Sequence, residues 1–179
     1  MRKGVIALAL LVIIFIGYFF VVRADNKPEQ PTVTENTQPQ TPKKPTREEL
    51  LKLINAERSK AGVAPLKIDP LFNQSAQYKA DDMVKRNYYA HTDPVTGLKN
   101  GIDYAANIGG STRCSYIGEN FYSSNNHKAA SDALDWWRNS KSHIDAIKDP
   151  RYTLTGFGIS SVENDGTMGV IVEHFCITK

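Results

Sequence analysis

None of the strong catalytic signatures occurs in the chain: HExxH, CxxC, Walker A, GxGxxG and GxSxG segments are all missing, so no local motif names a reaction. A surplus of charge is also missing where a folded domain is expected. Residues 47–179 hold 16 basic and 16 acidic side chains, while the first 46 residues hold 6 and 3. A neutral domain lacks the basic field that phosphate neutralisation requires, which excludes a dedicated nucleic-acid binder. Cysteine is scarce, with only Cys114 and Cys176, and neither lies near the end of the amino-terminal apolar run, so a lipoprotein anchor is not expected. What is present is ordinary: 41% apolar and 23% charged residues are close to globular averages and exclude a wholly disordered, collagenous or polytopic membrane protein.

The chain divides by composition into three parts, residues 1–24, 25–46 and 47–179. Gly4 to Val22 carries no charge, and its length at about 1.5 Å per residue spans roughly 28 Å of bilayer. Arg2 and Lys3 precede it, whereas Arg23 is followed closely by Asp25, so the positive-inside rule puts the amino terminus in the cytoplasm and everything after the run outside. The expected location is a single-pass, membrane-anchored domain on the outer side. A cleaved signal peptide is the competing reading, since Val22-Arg23-Ala24 loosely fits a cleavage site, and it would leave a secreted protein. Residues 25–46 have five prolines, no aromatic residue and Val33 as their one strongly apolar side chain, the composition of an extended tether.

The remaining residues, 47–179, have the size of one domain. Thr46 and Glu49 form a capping-box pattern ahead of Leu50, Leu51, Leu53, Ile54 and Ala56, which predicts a helix from about Arg47 to Ala61 stopped by Gly62. Pro70 suits the first turn of a second helix, where Phe72, Ala76, Lys79 or Ala80, and Met83 recur at helical spacing to about Arg86. Residues 87–126 read as irregular, with one short helix near Gly101 to Ala106. Asn126 is the expected cap of a helix running to about Asn139. LTGFGISS and GVIVEHFCI then read as strands on either side of an Asn164-Asp165-Gly166 turn, giving an α+β domain with antiparallel strands.

Four histidines are available for chemistry. His91, His127 and His143 lie beside turn-forming sequence, and His174 falls in the last strand. Glu119, flanked by Ile117 and Phe121, is the acid whose setting suggests burial, and a buried carboxylate needs partners. His91, Glu119 and His143 lie on separate segments; united in one cleft they would offer groups for a divalent metal such as zinc or for acid–base work. Satisfied loop or core histidines are the alternative.

The same segments carry a family resemblance. Asn55-x-x-Arg58, Gly62, Pro65-Leu66, Leu71, Ala76, Met83, Tyr89-Ala90-His91-Thr92-Asp93-Pro94, Gly118-Glu119-Asn120, Trp137-x-x-Ser140-x-x-His143 and Gly156-Phe157-Gly158 occur in this order over some 130 residues. The pattern resembles a bacterial member of the CAP superfamily, the cysteine-rich secretory, antigen-five and pathogenesis-related proteins, also called SCP-like domains. The resemblance implies an α-β-α sandwich, with helices covering both faces of a small antiparallel sheet and a C-terminal hairpin. It also implies a cleft of two histidines and acidic residues, carried here onto His91, Glu119 and His143. Two departures stand out: Ala146 replaces an Asn of many bacterial members, and Ser140 takes the place where eukaryotic members supply a second Glu.

Bland readings cover most other features. Trp137 is expected in the core and Trp136 partly at the surface; Asn55 and Arg58 read as structural devices, and His127 as solvated. Tyr89 either lines the cleft with Ser140 or packs beneath its loop. An outside location favours a Cys114–Cys176 disulfide over two free thiols. The leading functional expectation is a monomeric binding module for a surface lipid, glycan or peptide, with a metal-dependent hydrolase of envelope or extracellular polymers as the alternative. The missing second acid weighs toward binding, and a purely structural role is the third reading.

Overall fold

The computed structural model describes residues 44–125, 129–161 and 169–179. The Gly4–Val22 run, most of the tether, Asn126, His127 and the Asn164-Asp165-Gly166 turn lie outside the described residues. Among the described residues no helix is long and apolar enough to cross a membrane.

Helix α1 spans Arg47–Lys60 and opens on the expected capping box. Thr46 Oγ1 accepts from the Glu49 amide at 3.1 Å and Glu49 Oε2 accepts from the Thr46 amide at 3.0 Å, so amides at the start of the helix are satisfied. Leu50 and Ile54 are buried, but Ala56 is exposed, because the helix turns Glu57 and Arg58 inward. Arg58 donates to the carbonyls of Ala64, Ile147, Asp149 and Tyr152, and Asn55 exchanges two hydrogen bonds with the Leu66 backbone. Both residues therefore tie loops to α1.

A two-residue strand β1, Lys67–Ile68, leads into α2, Pro70–Arg86. Asp69 caps α2 through the Leu71 amide at 2.9 Å, and Asn87 ends it in a left-handed conformation at φ 52°. The short α3, Asn100–Ala105, runs through a wide π-type turn at Ala106–Gly110 and a helical turn at Ser111–Arg113 into β2, Cys114–Ser124. After α4, Ala130–Arg138, and α5, Lys141–Lys148, come β3, Leu154–Ser161, and β4, Gly169–Thr178.

Two elements correct the sequence reading. Residues 87–126 are not irregular throughout, since β2 is an eleven-residue strand. Gly118, Asn120 and Tyr122 are buried on one of its faces, while Ile117, Glu119 and Phe121 are half-buried on the other. With both faces covered, the polar–apolar alternation that announces a strand is missing. The segment around His143, NSKSHIDA, expected to be turn-forming, is largely helix α5, which begins after Ser140 and fully buries only Ile147. Packing rather than a strong local pattern holds so short a helix.

The strand order is β1-β3-β4-β2, with β1 parallel to β3 and the other pairs antiparallel. Leu50, Ile54, Leu134, Trp137 and Ile147 pack with Phe157, Ile171 and Phe175 on one face. Ala76, Ala80 and Met83 pack with Val170 and Val172 on the other. This three-layer α-β-α arrangement buries β4 on both sides.

Helix α2 comes unusually close to β3. A Cβ on Gly156 would lie 2.2 Å from the Asn73 nitrogen, and one on Gly158 would lie 2.1 Å from the Ala76 carbonyl oxygen, so only glycine admits the helix backbone there. The free edge of β3 is then closed by side chains. Asn73 Oδ1 accepts from Phe157 N, Arg47 Nε donates to Phe157 O, and Gln77 both accepts from Ile159 N and donates to Ile159 O, at 2.7–3.1 Å.

Candidate functional site

Gly156, His174 and Glu119 stand side by side across β3, β4 and β2. The seat of α2 on this row brings Ser75 Oγ to 2.8 Å from His174 Nδ1. His174 Nε2 lies 3.0 Å from Glu119 Oε2, and His91 Nδ1 lies 2.8 Å from Glu119 Oε1. One unbroken chain of hydrogen bonds thus runs from Ser75 in α2 to His91 in the following loop. One helical turn beyond Ser75, the buried Lys79 donates to the His91 carbonyl at 3.2 Å and to Asn100 Oδ1 at 2.9 Å, fixing the loop backbone. Gly101 lets α3 close over the carboxylate, since a Cβ there would sit 2.8 Å from Lys79 Cβ.

Burial works to raise the Glu119 pKa, but hydrogen bonds from His174 and His91, aided by the charges of His174 and Lys79, outweigh it and bring the carboxyl down to about 2. An ionised carboxylate only accepts, so His91 Nδ1 and His174 Nε2 both carry protons. The other ring nitrogen of His91, Nε2, belongs to a side chain that is 44% exposed against 3% for Glu119.

His143 is held differently. Its Nδ1 lies 2.6 Å from Ser140 Oγ, and its pKa is lowered by burial and by the neighbouring His91 charge. A hydroxyl serves as donor or acceptor, so Ser140 satisfies either neutral tautomer of His143. The two imidazoles have ring centroids 6.3 Å apart. His91 meets the edge of Phe121 at 4.8 Å and His143 that of Trp136 at 4.7 Å, so the pair is flanked by aromatic rings, one of them the partly exposed Trp136.

Of the residues singled out from sequence, His91 and Glu119 touch, His143 and Ser140 touch, and the two pairs are neighbours through the imidazole rings. Tyr89 uses its hydroxyl on Asn87 Oδ1 at 3.2 Å and packs with the Ala76–Met83 cluster. Ala146 packs against the main core. Sequence reasoning missed His174, Ser75 and Lys79 as parts of the site. A signal existed for the first: Glu173-His174 interrupts an otherwise apolar strand, and such groups require buried partners.

Cys114 and Cys176 are joined in a disulfide with Cα atoms 5.6 Å apart, tying the start of β2 to the end of β4. Both Glu119 oxygens are engaged by imidazoles, and among the described residues no group of three or more His, Cys, Asp or Glu side chains is arranged to hold a metal ion.

Comparison with known proteins agrees with this architecture. The model of the cysteine-rich secretory protein family, CAP, matches residues 51–177. A curated relative, the uncharacterized protein YkwD of Bacillus subtilis strain 168, is 34% identical over 109 residues, covering 61% of this chain but only 40% of the relative. The chain thus spans about two fifths of that protein's length. An extracellular protein containing an SCP domain from Bacillus anthracis superposes with a TM-score of 0.57 at 22% identity, over 73% of this chain and 39% of the other. An outer surface protein of Borrelia burgdorferi gives 0.62 at 19% identity, over 74% and 92%. The same fold recurs in NaASP2, solved with Zn2+, at a TM-score of 0.51 and 15% identity over 72% and 77%. At such identities the structural likenesses concern the fold. The family match covers most of the chain, and with the helix–sheet–helix layers around the His91–Glu119 pair it establishes that the protein belongs to the cysteine-rich secretory protein (CAP) family.

Proposed function

We propose that the domain is an extracytoplasmic ligand-binding module whose binding surface is the pair of imidazoles His91 and His143 with the flanking Trp136. The observation that carries this reading is the double engagement of Glu119. With one oxygen on His91 and the other on His174, the buried carboxylate serves to hold the two rings in place rather than to face a ligand. Two imidazoles beside an exposed indole offer hydrogen bonds next to an apolar surface, a combination suited to the polar groups and ring faces of a glycan or peptide. The Cys114–Cys176 bond supports an oxidising location, as do the extracellular and outer-surface relatives. The run Gly4–Val22 is the anchor in this reading, which the intact mass of the native protein would test.

A resident metal does not fit well. Two imidazoles fall short of the three protein ligands usual for catalytic zinc, and Glu119 is taken. Hydrolysis has one observation in its favour, the 2.6 Å contact of Ser140 with His143. Yet a serine nucleophile works with a histidine that a third group orients, and among the described residues no hydrogen bond engages His143 Nε2. Titration of the full chain with soluble peptidoglycan fragments tests the reading. Binding should be lost in His91→Ala/His143→Ala and weakened in Trp136→Ala, with the protein still folded. Equal binding by all three, or turnover that requires Ser140, would overturn it.

A further inference from the structure

A second surface shares no lining residue with the imidazole pair. Two open cavities of about 500 and 390 Å³ share Ser115 and Tyr116 in their linings, and Tyr116 is 55% exposed. The larger is lined by Ile102, Ile117, the Cys114 end of the disulfide, Lys99 and Lys179. The smaller runs over Tyr152 and Ile177 to Arg151. Through these shared residues the two adjoin as one open furrow lined by Tyr116.

The cations differ in availability. Arg151 is spent on Asp149, which it binds through three side-chain hydrogen bonds of 2.6–3.1 Å. Lys99 has no ion pair among the described residues, and Lys179 gives one of its N–H groups to the Ser111 carbonyl at 2.7 Å, leaving two. No acidic side chain lines either cavity. Among the lining side chains, the positive charge not spent on an ion pair is therefore that of Lys99 and Lys179. An acyl chain would require an enclosed apolar tunnel, whereas this furrow is open and edged by the hydroxyls of Ser111 and Ser115. An exposed tyrosine lining both cavities is instead a platform for a sugar ring.

We infer that the furrow binds an anionic glycan, with a sugar ring against Tyr116 and its carboxylate or phosphate between Lys99 and Lys179. The site is independent of the imidazole surface, so either can fail alone. The test uses the full chain titrated with polygalacturonate, phosphorylated dextran and plain dextran. One or both anionic polymers should bind and plain dextran should not; a preference between the two names the anion. Tyr116→Ala and Lys99→Glu/Lys179→Glu should each weaken binding at least about tenfold without moving the melting temperature, while His91→Ala/His143→Ala should bind as the parent does. Failure of both anionic polymers to bind, equal binding of plain dextran, undiminished binding by Tyr116→Ala, or loss confined to the histidine variant would each overturn the assignment.

Discussion

Glu119 and His174 face each other across the β2–β4 ladder, and the 3.0 Å contact between Oε2 and Nε2 gives the buried carboxylate a partner that is itself fully buried. The more exposed His91 serves the other oxygen. The two histidines therefore have unequal weight in stability, although both touch the same group.

Replacing His174 by Ala should cost about 3 kcal/mol, because it strands one oxygen of an ionised carboxylate and removes the partner of Ser75. His91→Ala should cost about 1 kcal/mol, since water reaches the vacated position. Urea unfolding of the two variants measures the difference; equal losses would show that the inner contact adds nothing.

The pH dependence follows from the same carboxylate. Its pKa is depressed from 4.5 to about 2 on folding, so the folded state binds fewer protons between these values. The stabilisation is complete above pH 4.5 and is lost as pH falls through 2, about 3 kcal/mol in all. Unfolding free energy measured from pH 5 to pH 2 should fall with that slope, and Glu119→Gln should flatten it.

Glu173 behaves in the opposite sense. It is fully buried, Thr155 Oγ1 donates to its Oε1 at 3.1 Å, and its Oε2 has no hydrogen-bond partner among the described residues. Burial pushes its pKa well above the ordinary value, with Thr155 and the Arg58 charge opposing less strongly. The folded state binds the extra proton, so this residue removes stability as pH rises above 4.5. Glu173→Gln should leave stability unchanged or higher at pH 8 and show its smallest benefit near pH 4. A loss of more than about 1 kcal/mol at pH 8 would mean that the charge is needed.

Gly158→Ala should destabilise by about 3 kcal/mol or more, because the added methyl meets the α2 backbone rather than a side chain that can swing away. Gly97→Ala is the contrast: nothing lies within 4 Å of its Cβ position, and only its φ of 71° opposes the change, at about 1 kcal/mol. Thermal melts of the pair separate close packing from backbone conformation.

Where each element announces itself locally, the sequence is readable. The Thr46 cap, Pro70 and the buried positions of α2 are set by turn chemistry and 3.6-residue spacing, and the boundaries of α1 and α2 agree with the structure within a residue. The disulfide is likewise as expected. Strand β2 is hidden because Gly118, Glu119 and Asn120 occupy its centre, and their pairing is decided by β4, some 55 residues away. Its omission conceals His174 as well, for without β2 there is no register in which Glu119 meets that histidine. His91 and His143 stand out by residue type, whereas Ser75 and Lys79 look like ordinary helix residues until two glycines of β3 let their helix descend.

The side-chain closure of β3 has a bearing on behaviour at high density. An exposed strand recruits others through unpaired amides and carbonyls, and it is commonly guarded by charge or by a bulge. Here Asn73, Gln77 and Arg47 occupy the hydrogen-bonding positions that an incoming strand would use at Phe157 and Ile159. Many copies can crowd together without this border of the sheet templating a neighbour, and the safeguard is as strong as three replaceable side chains.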